Sequence, residues 1–505
     1  MTVSDQENCS MVLGIDIGTT SSKAIVVDEN LNILGEARVP HVVDTPKPGF
    51  VEQKAEVWWA DLCQLAKSLA EKIDIKKIQA VGLSSMGPNT VPISSRGEPL
   101  RPAILYGIDT RASVEIEELS KILRQDEIAH THGRFSSQSI LPKILWLKKN
   151  QSELFQSTHK VLTTNAYIGH RLTKNYALDY FTASAGALID FSQNSLYEKS
   201  FRSIGVPTAI IPDLLWPGDV LGTVCPEAAS ATGLSAGTKV IIGTTDAANE
   251  AVVCGCREPG DSVISLGGTS IFVTCTDRPL MMENALVCNY LDENSYIIGG
   301  ATSSGGILID WFSKEICDSS PSELASLIPG QIPYATGLLA LPYLNGARNP
   351  LNDKLAKGMV AGLTSNTRLK DVYMALIESL AMEIEMMIED ITKIVHIKKD
   401  LKVTGGGANN EVLLRTICEV LRENIDVLPP EMGAAAGAAV LAGAAIGEWT
   451  IDQAAKMVPV KRRYKYSETN DGYYDRKKEL FRDAYIANKR IFAGLDEMAR
   501  AIHSS

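Results

Sequence analysis

One pattern occurs twice in this chain, and it limits the available folds more than any other feature. Residues 11–16 are apolar up to an aspartate, Gly18-Thr19-Thr20-Ser21 turn the chain, and residues 23–28 are again mostly apolar. In the second half, residues 262–266, the turn Gly267-Gly268-Thr269-Ser270 and residues 271–274 restart the same strand-turn-strand order. Short apolar runs punctuated by glycine and hydroxyl residues read as hairpins. A supersecondary unit restarted in each half points to a duplicated, two-lobe architecture. At 505 residues the chain is also too long for one core. The restart places the boundary near residues 245–258, which gives lobes over 1–247 and 248–505.

Around these hairpins the periodicity alternates. The spacing of Trp58, Leu62, Leu65 and Leu69 predicts a helix over 55–73, and residues 370–395 carry a longer amphipathic pattern. Residues 32–38, 78–83, 103–106 and 401–403 read as strands, so each lobe is expected to be a mixed sheet with helices packed on it. The run from Gly433 to Gly447 is the most apolar in the chain. It is shorter than the ~20 residues a membrane span needs, and its Gly and Ala content suits a tightly packed core helix. A net charge of −11 with no basic run argues against nucleic acid or an anionic membrane as the main partner. Nine irregularly spaced cysteines and a polar, acidic start without leader features suggest buried thiols in a reducing, cytoplasmic setting. His130 and His132 have no companion ligands in sequence and read as loop residues.

Three segments carry chemistry. Asp16 ends a strand, hydroxyl and glycine residues follow, and Lys23 opens the next strand. Turn N–H groups and hydroxyls can cradle phosphate oxygens, and Asp16 suits a hard cation such as Mg²⁺. Read alone, the segment is equally an ordinary hairpin with an exposed acid. Asp246, in Gly243–Ala251 (GTTDAANEA), follows an apolar strand and could accept a proton from an attacking hydroxyl, or serve as a helix N-cap. Gly405-Gly406-Gly407 follow a strand and let a backbone approach a nucleotide, while Asn409 or Asn410 would cap a helix beginning at Glu411. This is neither a Walker A loop nor a GxGxxG fingerprint.

Taken in order, these segments with Leu266–Ser270 and Glu431–Ala439 resemble the FGGY carbohydrate kinases, nearest their xylulose-kinase branch, within the actin, sugar-kinase and Hsp70 ATPase superfamily. Residues 49–53, 143–147 and 342–350 fit the same family. The resemblance implies an α/β fold of two actin-like (ribonuclease H-like) lobes, each a mixed β-sheet flanked by helices, with the active site in the cleft between them. It implies ATP and Mg²⁺ as cofactors, a small sugar or polyol as partner, and a possible homodimer.

By the same resemblance, Asp246 is the catalytic base and Asp16, with Asp246, lies on the metal side. Gly18, Thr19, Thr20, Lys23, Gly268, Thr269, Gly406, Gly407 and Asn410 are the ATP contacts. Ser85, Met86, Gly87, Asp109, Arg111 and Asp246 read the acceptor. Where xylulose kinases carry Gln-Met-His-Gly, this chain has Ser85-Met86-Gly87-Pro88, so the sugar site departs from the pattern while the phosphate site does not. A pentulose such as xylulose is the first expected acceptor. Another polyol, sugar acid or signalling sugar, or a non-catalytic sugar-binding regulator, are the alternatives.

Overall fold

A computed structural model describes residues 10–503, apart from 124–134, 283, 329, 331–333 and 468–471. His130 and His132 lie outside the described residues. Packing divides the chain into two units: residues up to 257 with 276–297 and 431–458, and residues 258–275, 298–430 and 459–505.

The first unit is built on a seven-stranded sheet. Its strands are β1 (Met11–Ile17), β2 (Ser21–Val27), β3 (Ile33–Pro40), β4 (Ile78–Ser85), β5 (Val220–Thr223), β6 (Lys239–Ile241) and β7 (Thr244–Thr245), in the order β5-β6-β4-β1-β2-β3 with β7 also on β4. β1 to β3 form an antiparallel meander, while β4 runs parallel to β1 and β6 parallel to β4. The buried face of α1 (Ala55–Ala70) carries Trp58, Leu62, Leu65 and Leu69, the residues the sequence spacing selects. Trp58 packs edge-on against Tyr167, with ring centroids 6.2 Å apart. Further on come α2 (Ile140–Asn150) and α3 (Asp246–Val253).

The second unit repeats the plan. β8 (Ser262–Leu266) pairs antiparallel with β9 (Ser270–Thr276), as β1 pairs with β2, and parallel with β11 (Leu401–Thr404), as β1 pairs with β4. β10 (Tyr296–Ala301), β12 (Ile425–Val427) and β13 (Arg462–Tyr464) give the order β10-β9-β8-β11-β12-β13, with Leu286–Asn289 as a seventh strand beyond β10. α4 (Leu369–Thr392) buries Leu376, Leu380, Ile384, Met387 and Ile391, and α5 (Glu411–Leu421) follows the glycine triplet. The repeated hairpin thus lies in the interior of a repeated sheet.

The units are not separated by one cut of the chain. After α5 the chain returns to the first unit as α6 (Ala434–Ile446), capped by Gly447 at φ 81°. Its small residues explain the return, because α6 lies directly on β1, β4 and α3. A methyl group at Gly14 would sit 1.9 Å from the Ala435 carbonyl oxygen, at Gly82 1.9 Å from that of Ala438, and at Gly437 1.9 Å from that of Asn249. At each crossing a glycine on one partner lets it reach the backbone of the other. The chain ends in α7 (Tyr473–His503). Among the described residues, no helix is long and apolar enough to cross a membrane.

Because both partners at the crossing are backbone, neither can swing away. Gly82→Ala should therefore cost at least about 1–3 kcal/mol and lower the thermal midpoint. An unchanged midpoint would show that α6 can shift off the sheet without cost.

Candidate active site

The candidate site in the first unit grows from the C-terminal ends of adjacent strands. Asp16 of β1 is in register with Ser84 of β4, and Thr244 of β7 is in register with the same Ser84. Neighbouring strands lie about 4.8 Å apart in the hydrogen-bonding direction, so the acid near the end of β1 and the acid following β7 converge across Ser84. Ser84 Oγ donates to Asp16 Oδ1 at 2.9 Å. Asp246 is the first residue of α3, and its Oδ1 accepts the Ala247 N–H at 2.8 Å. The N-cap position itself belongs to Thr245, with no side-chain cap bond. Gly243, at φ 66°, makes the approach turn: a methyl there would lie 1.8 Å from the Leu83 carbonyl oxygen. Asn249 Nδ2 then donates to the Thr244 and Thr245 carbonyls, each at 3.1 Å, locking the turn from below.

The electrostatics follow from this geometry. Burial raises the proton affinity of both acids. For Asp246, the nearby negative charge of Asp16 adds to burial and pushes the pKa up to about 7. The Ser84 hydrogen bond and Lys23 act in the opposite direction on Asp16. Two partly buried carboxylates that repel one another are a site for a divalent cation. Among the described residues no group of three or more His, Cys, Asp or Glu side chains gathers as a metal cage. Mg²⁺ commonly takes only one or two carboxylates, leaving its other positions to water and phosphate, so the pair fits that ion.

Beside this pair lies the β1–β2 turn. Gly18 N–H donates to the Ser21 carbonyl at 3.0 Å, Thr19 is partly buried, and Thr20 and Lys23 are exposed. Thr19 Oγ1 hydrogen-bonds the Tyr106 hydroxyl at 2.9 Å. That bond ties the turn to the 106–111 segment, where the acceptor readers were expected. Gln138, a residue that sequence reasoning missed, completes the link. Its Nε2 donates to the Gly87 carbonyl at 2.8 Å and its Oε1 accepts the Gly107 N–H at 3.1 Å.

The acceptor-side residues themselves are placed unevenly. Ser85 and Met86 are buried, at 1% and 2% exposure, and only Gly87 of the 85–87 segment is partly open. Asp109 is 1% exposed, and its carboxylate is fully engaged. Oδ2 accepts the Val51 N–H at 2.6 Å and Arg111 Nη2 at 2.6 Å, while Oδ1 accepts Arg111 Nε at 2.9 Å. Arg111 Nη1 reaches Glu52 at 2.6 Å, and Glu52 also pairs with Arg101. Phe50 and Trp146 flank the Arg111 guanidinium, at 4.1 and 5.1 Å from its carbon. The structure therefore makes Asp109 a buried clamp for Arg111. Beside them the Lys143 amine is buried without a hydrogen-bond partner among the described residues, and burial pushes its pKa down to about 7. Glu52 joins this charged cluster, whereas its neighbour Gln53 accepts from Trp58 Nε1 at 2.6 Å and fixes the start of α1.

In the second unit, the β8–β9 turn holds Gly268 and Thr269. The Gly306 and Ile307 N–H groups donate to the Gly267 and Gly268 carbonyls at 2.9 and 3.0 Å. Gly405 and Gly407 stack on the end of β8 at Leu266, whereas a methyl at Gly406 would meet nothing within 4 Å. Asn410 caps α5, accepting the Leu413 N–H at 3.1 Å, and its amide donates to the Tyr373 hydroxyl at 3.0 Å. The expected cap is present, and both polar ends of Asn410 are engaged in holding it.

Two glycine-hydroxyl turns at matching sheet positions, an acid at the end of each strand flanking β4 and a capped glycine triplet agree with what known sequences show. Residues 11–254 match the N-terminal domain, and residues 263–446 the C-terminal domain, of the FGGY family of carbohydrate kinases. The chain belongs to that family. As an FGGY kinase it is a phosphotransferase with an alcohol group as acceptor, acting on a sugar and ATP. It is 29% identical over 444 residues to a xylulose kinase of Bacillus subtilis (strain 168), covering 85% of this chain and 87% of that protein. A gluconokinase of the same strain is 24% identical, covering 87% and 88%. The solved xylulose kinase of Rhodospirillum rubrum superposes with a TM-score of 0.85 at 25% identity, over 96% of this chain and all of that one.

The clamp in this FGGY kinase gives a stability test. Removing one partner of a buried ion pair strands the other, at about 3–5 kcal/mol. Asp109→Ala should therefore lower the thermal midpoint sharply, and adding Arg111→Met should recover part of the loss. A stable Asp109→Ala variant whose only defect is a raised KM for sugar would instead return Asp109 to direct acceptor reading.

Proposed function

We propose that this kinase transfers the γ-phosphate of ATP to a primary hydroxyl of a pentulose such as xylulose. The observation that carries the reading is the carboxylate pair, Asp16 and Asp246, placed across Ser84 at the ends of the two strands that flank β4. The acceptor oxygen attacks the γ-phosphorus, the bond to the bridging oxygen breaks, and ADP leaves. Asp246 receives the hydroxyl proton, a task suited to a group whose proton affinity sits near neutrality. Asp16 and Asp246 would hold Mg²⁺, which supplies charge neutralisation to the phosphates when bound. Thr19, Thr20 and Lys23 serve the transferred phosphate, and Gly268, Thr269, Gly406, Gly407 and Asn410 serve the nucleotide. Of the acceptor residues, Gly87 contributes through its backbone and Arg111 through the cluster that Asp109 holds. The similarity to xylulose kinases over most of the chain supports the pentulose.

A second acceptor class has its own support. The 85–88 segment offers no ionisable side chain, and the Lys143 amine is buried beside Asp109 and Arg111 without a hydrogen-bond partner among the described residues. An acceptor carrying a carboxylate would give that amine a counter-charge. Coupled ADP release with MgATP against pentuloses, pentitols, glycerol, gluconate and related sugar acids separates the two. A response to xylulose supports the first reading, and a response confined to sugar acids supports the second.

Asp246→Asn should fold as the wild type and lose kcat by roughly 10²–10⁴, and near-normal turnover would remove Asp246 from its role. Since only the ionised carboxylate accepts a proton, kcat/KM of the wild type should rise with pH through about 7. A profile flat from pH 5.5 to 7.5 would contradict that assignment.

A further inference from the structure

His41 follows β3, outside every segment that the sequence marks for chemistry, yet it grips the phosphate turn twice. Its backbone N–H donates to the Thr20 carbonyl at 2.9 Å, and its ring Nε2 lies 2.9 Å from the Gly18 carbonyl oxygen. The other ring nitrogen, Nδ1, lies 2.6 Å from Asp61 Oδ2. The same carboxylate oxygen accepts the Ser22 hydroxyl at 2.7 Å. The ring is nearly sealed from water, with 3% of the side chain exposed and 8% of that of Asp61.

Both neighbours of this ring are acceptors. A carbonyl oxygen has no proton to give, so Nε2 must carry one. The contact between Nδ1 and Asp61 also needs a proton, and imidazole is the stronger base of the two. We propose that His41 is a positioning residue for phosphate transfer, held as a doubly protonated imidazolium that pins the Gly18 carbonyl and thereby the Gly18–Thr20 turn. The inference rests on the reading of that turn as a phosphate site. A carbonyl held by His41 cannot swing towards an incoming phosphate, where its negative end would repel the ligand.

The charge balance around the ring supports this state. Asp61 of α1 is the charged group acting on it. Lys23 of β2 is exposed, and Arg38 of β3 directs its Nε to Ser21 Oγ at 3.2 Å. Burial disfavours the charged ring, but the bonds to Asp61 and Gly18 outweigh it and leave the proton affinity above the usual histidine value. Deprotonation forces a choice, because one remaining N–H cannot serve two acceptors. The carboxylate is the stronger acceptor, so the Gly18 bond is the one lost as pH rises.

The test has two readouts that need no turnover. Nitrogen-15 spectra of the seven histidines, with His41 assigned by its loss in His41→Phe, should show both His41 ring nitrogens protonated at pH 7. One unprotonated nitrogen would overturn the proposal and leave the kinase reading untouched. Calorimetric Kd values for MgATP should weaken in the wild type as pH rises above neutrality, and weaken about tenfold at all pH values in His41→Phe. Asp61→Asn is the decisive variant. An asparagine amide can donate to Nδ1 and Ser22, which lets a neutral ring keep its Nε2–H on Gly18. That variant should bind MgATP nearly as the wild type does at pH 7 and lose the alkaline weakening. Persistence of the weakening in Asp61→Asn, or unaltered affinity in His41→Phe, would overturn the proposal. Absence of sugar turnover in the wild type would sink the kinase reading alone.

Discussion

The closest constraint in the first unit is the absence of side chains where α6 crosses the sheet. Gly14, Gly82 and Gly437 let backbone meet backbone, and each lies a few residues from the chemistry. Gly14 precedes Asp16 on β1, Gly82 precedes Ser84 on β4, and Gly437 rests on Asn249, which pins the turn before Asp246. A single small-residue helix therefore sets the height of three elements at once. Protein interiors transmit such displacements because they are packed like crystals. Misplacing a reacting group by an ångström is costly in a reaction that depends on positioning.

That rigidity has an electrostatic purpose. Two carboxylates brought together in a partly buried place repel, and a looser scaffold would let them drift apart or turn to solvent. Held across Ser84, they remain a concentrated negative site whose energy falls when a cation or a proton arrives. The raised proton affinity of Asp246 is thus a product of the backbone frame as much as of its own surroundings. The same logic runs through the Glu52, Arg101, Asp109 and Arg111 cluster. There opposite charges are buried together, and the result is stiffness in place of reactivity.

The parts legible in the sequence were those governed by local rules. Periodicity marked α1 and α4, turn chemistry marked both hairpins, and Asn410 caps α5 where the asparagine pair after the glycine triplet suggested. Asp16 and Asp246 were legible because each acid ends or follows a short apolar strand. What escaped were relations between distant segments. For Asp109, nothing local reveals that Val51 N–H and Arg111 engage its carboxylate. Gln138, Tyr106 and His41 carry no motif, and their roles exist only because folding brings them to Gly87, Thr19 and Gly18. The return of residues 431–458 to the first unit was equally hidden, since chain order says nothing about which sheet a small-residue helix will meet.

These unmarked residues explain how one scaffold can keep its reaction while its acceptor changes. The β1–β2 turn, proposed as the phosphate site, is held from one side by His41 and Asp61 through bonds to Gly18, Thr20 and Ser22. The acceptor side is fixed by Gln138, Asn89 and the Arg111 clamp, which hold the backbones of Gly87, Tyr106 and Val51. The Thr19 to Tyr106 hydroxyl bond and the bond from the Met86 N–H to the Ile17 carbonyl, at 2.8 Å, link the two sets. Because the 85–88 segment meets β1 and β7 through its backbone, substitutions of its side chains leave those links in place. A departure such as Ser85-Met86-Gly87-Pro88 can alter which hydroxyls are read without disturbing Asp16, Asp246 or the turn between β1 and β2. In the proposed site, side-chain supports that differ for the two halves, joined by one hydroxyl contact and by backbone bonds, would let the acceptor side diverge while the reaction is kept.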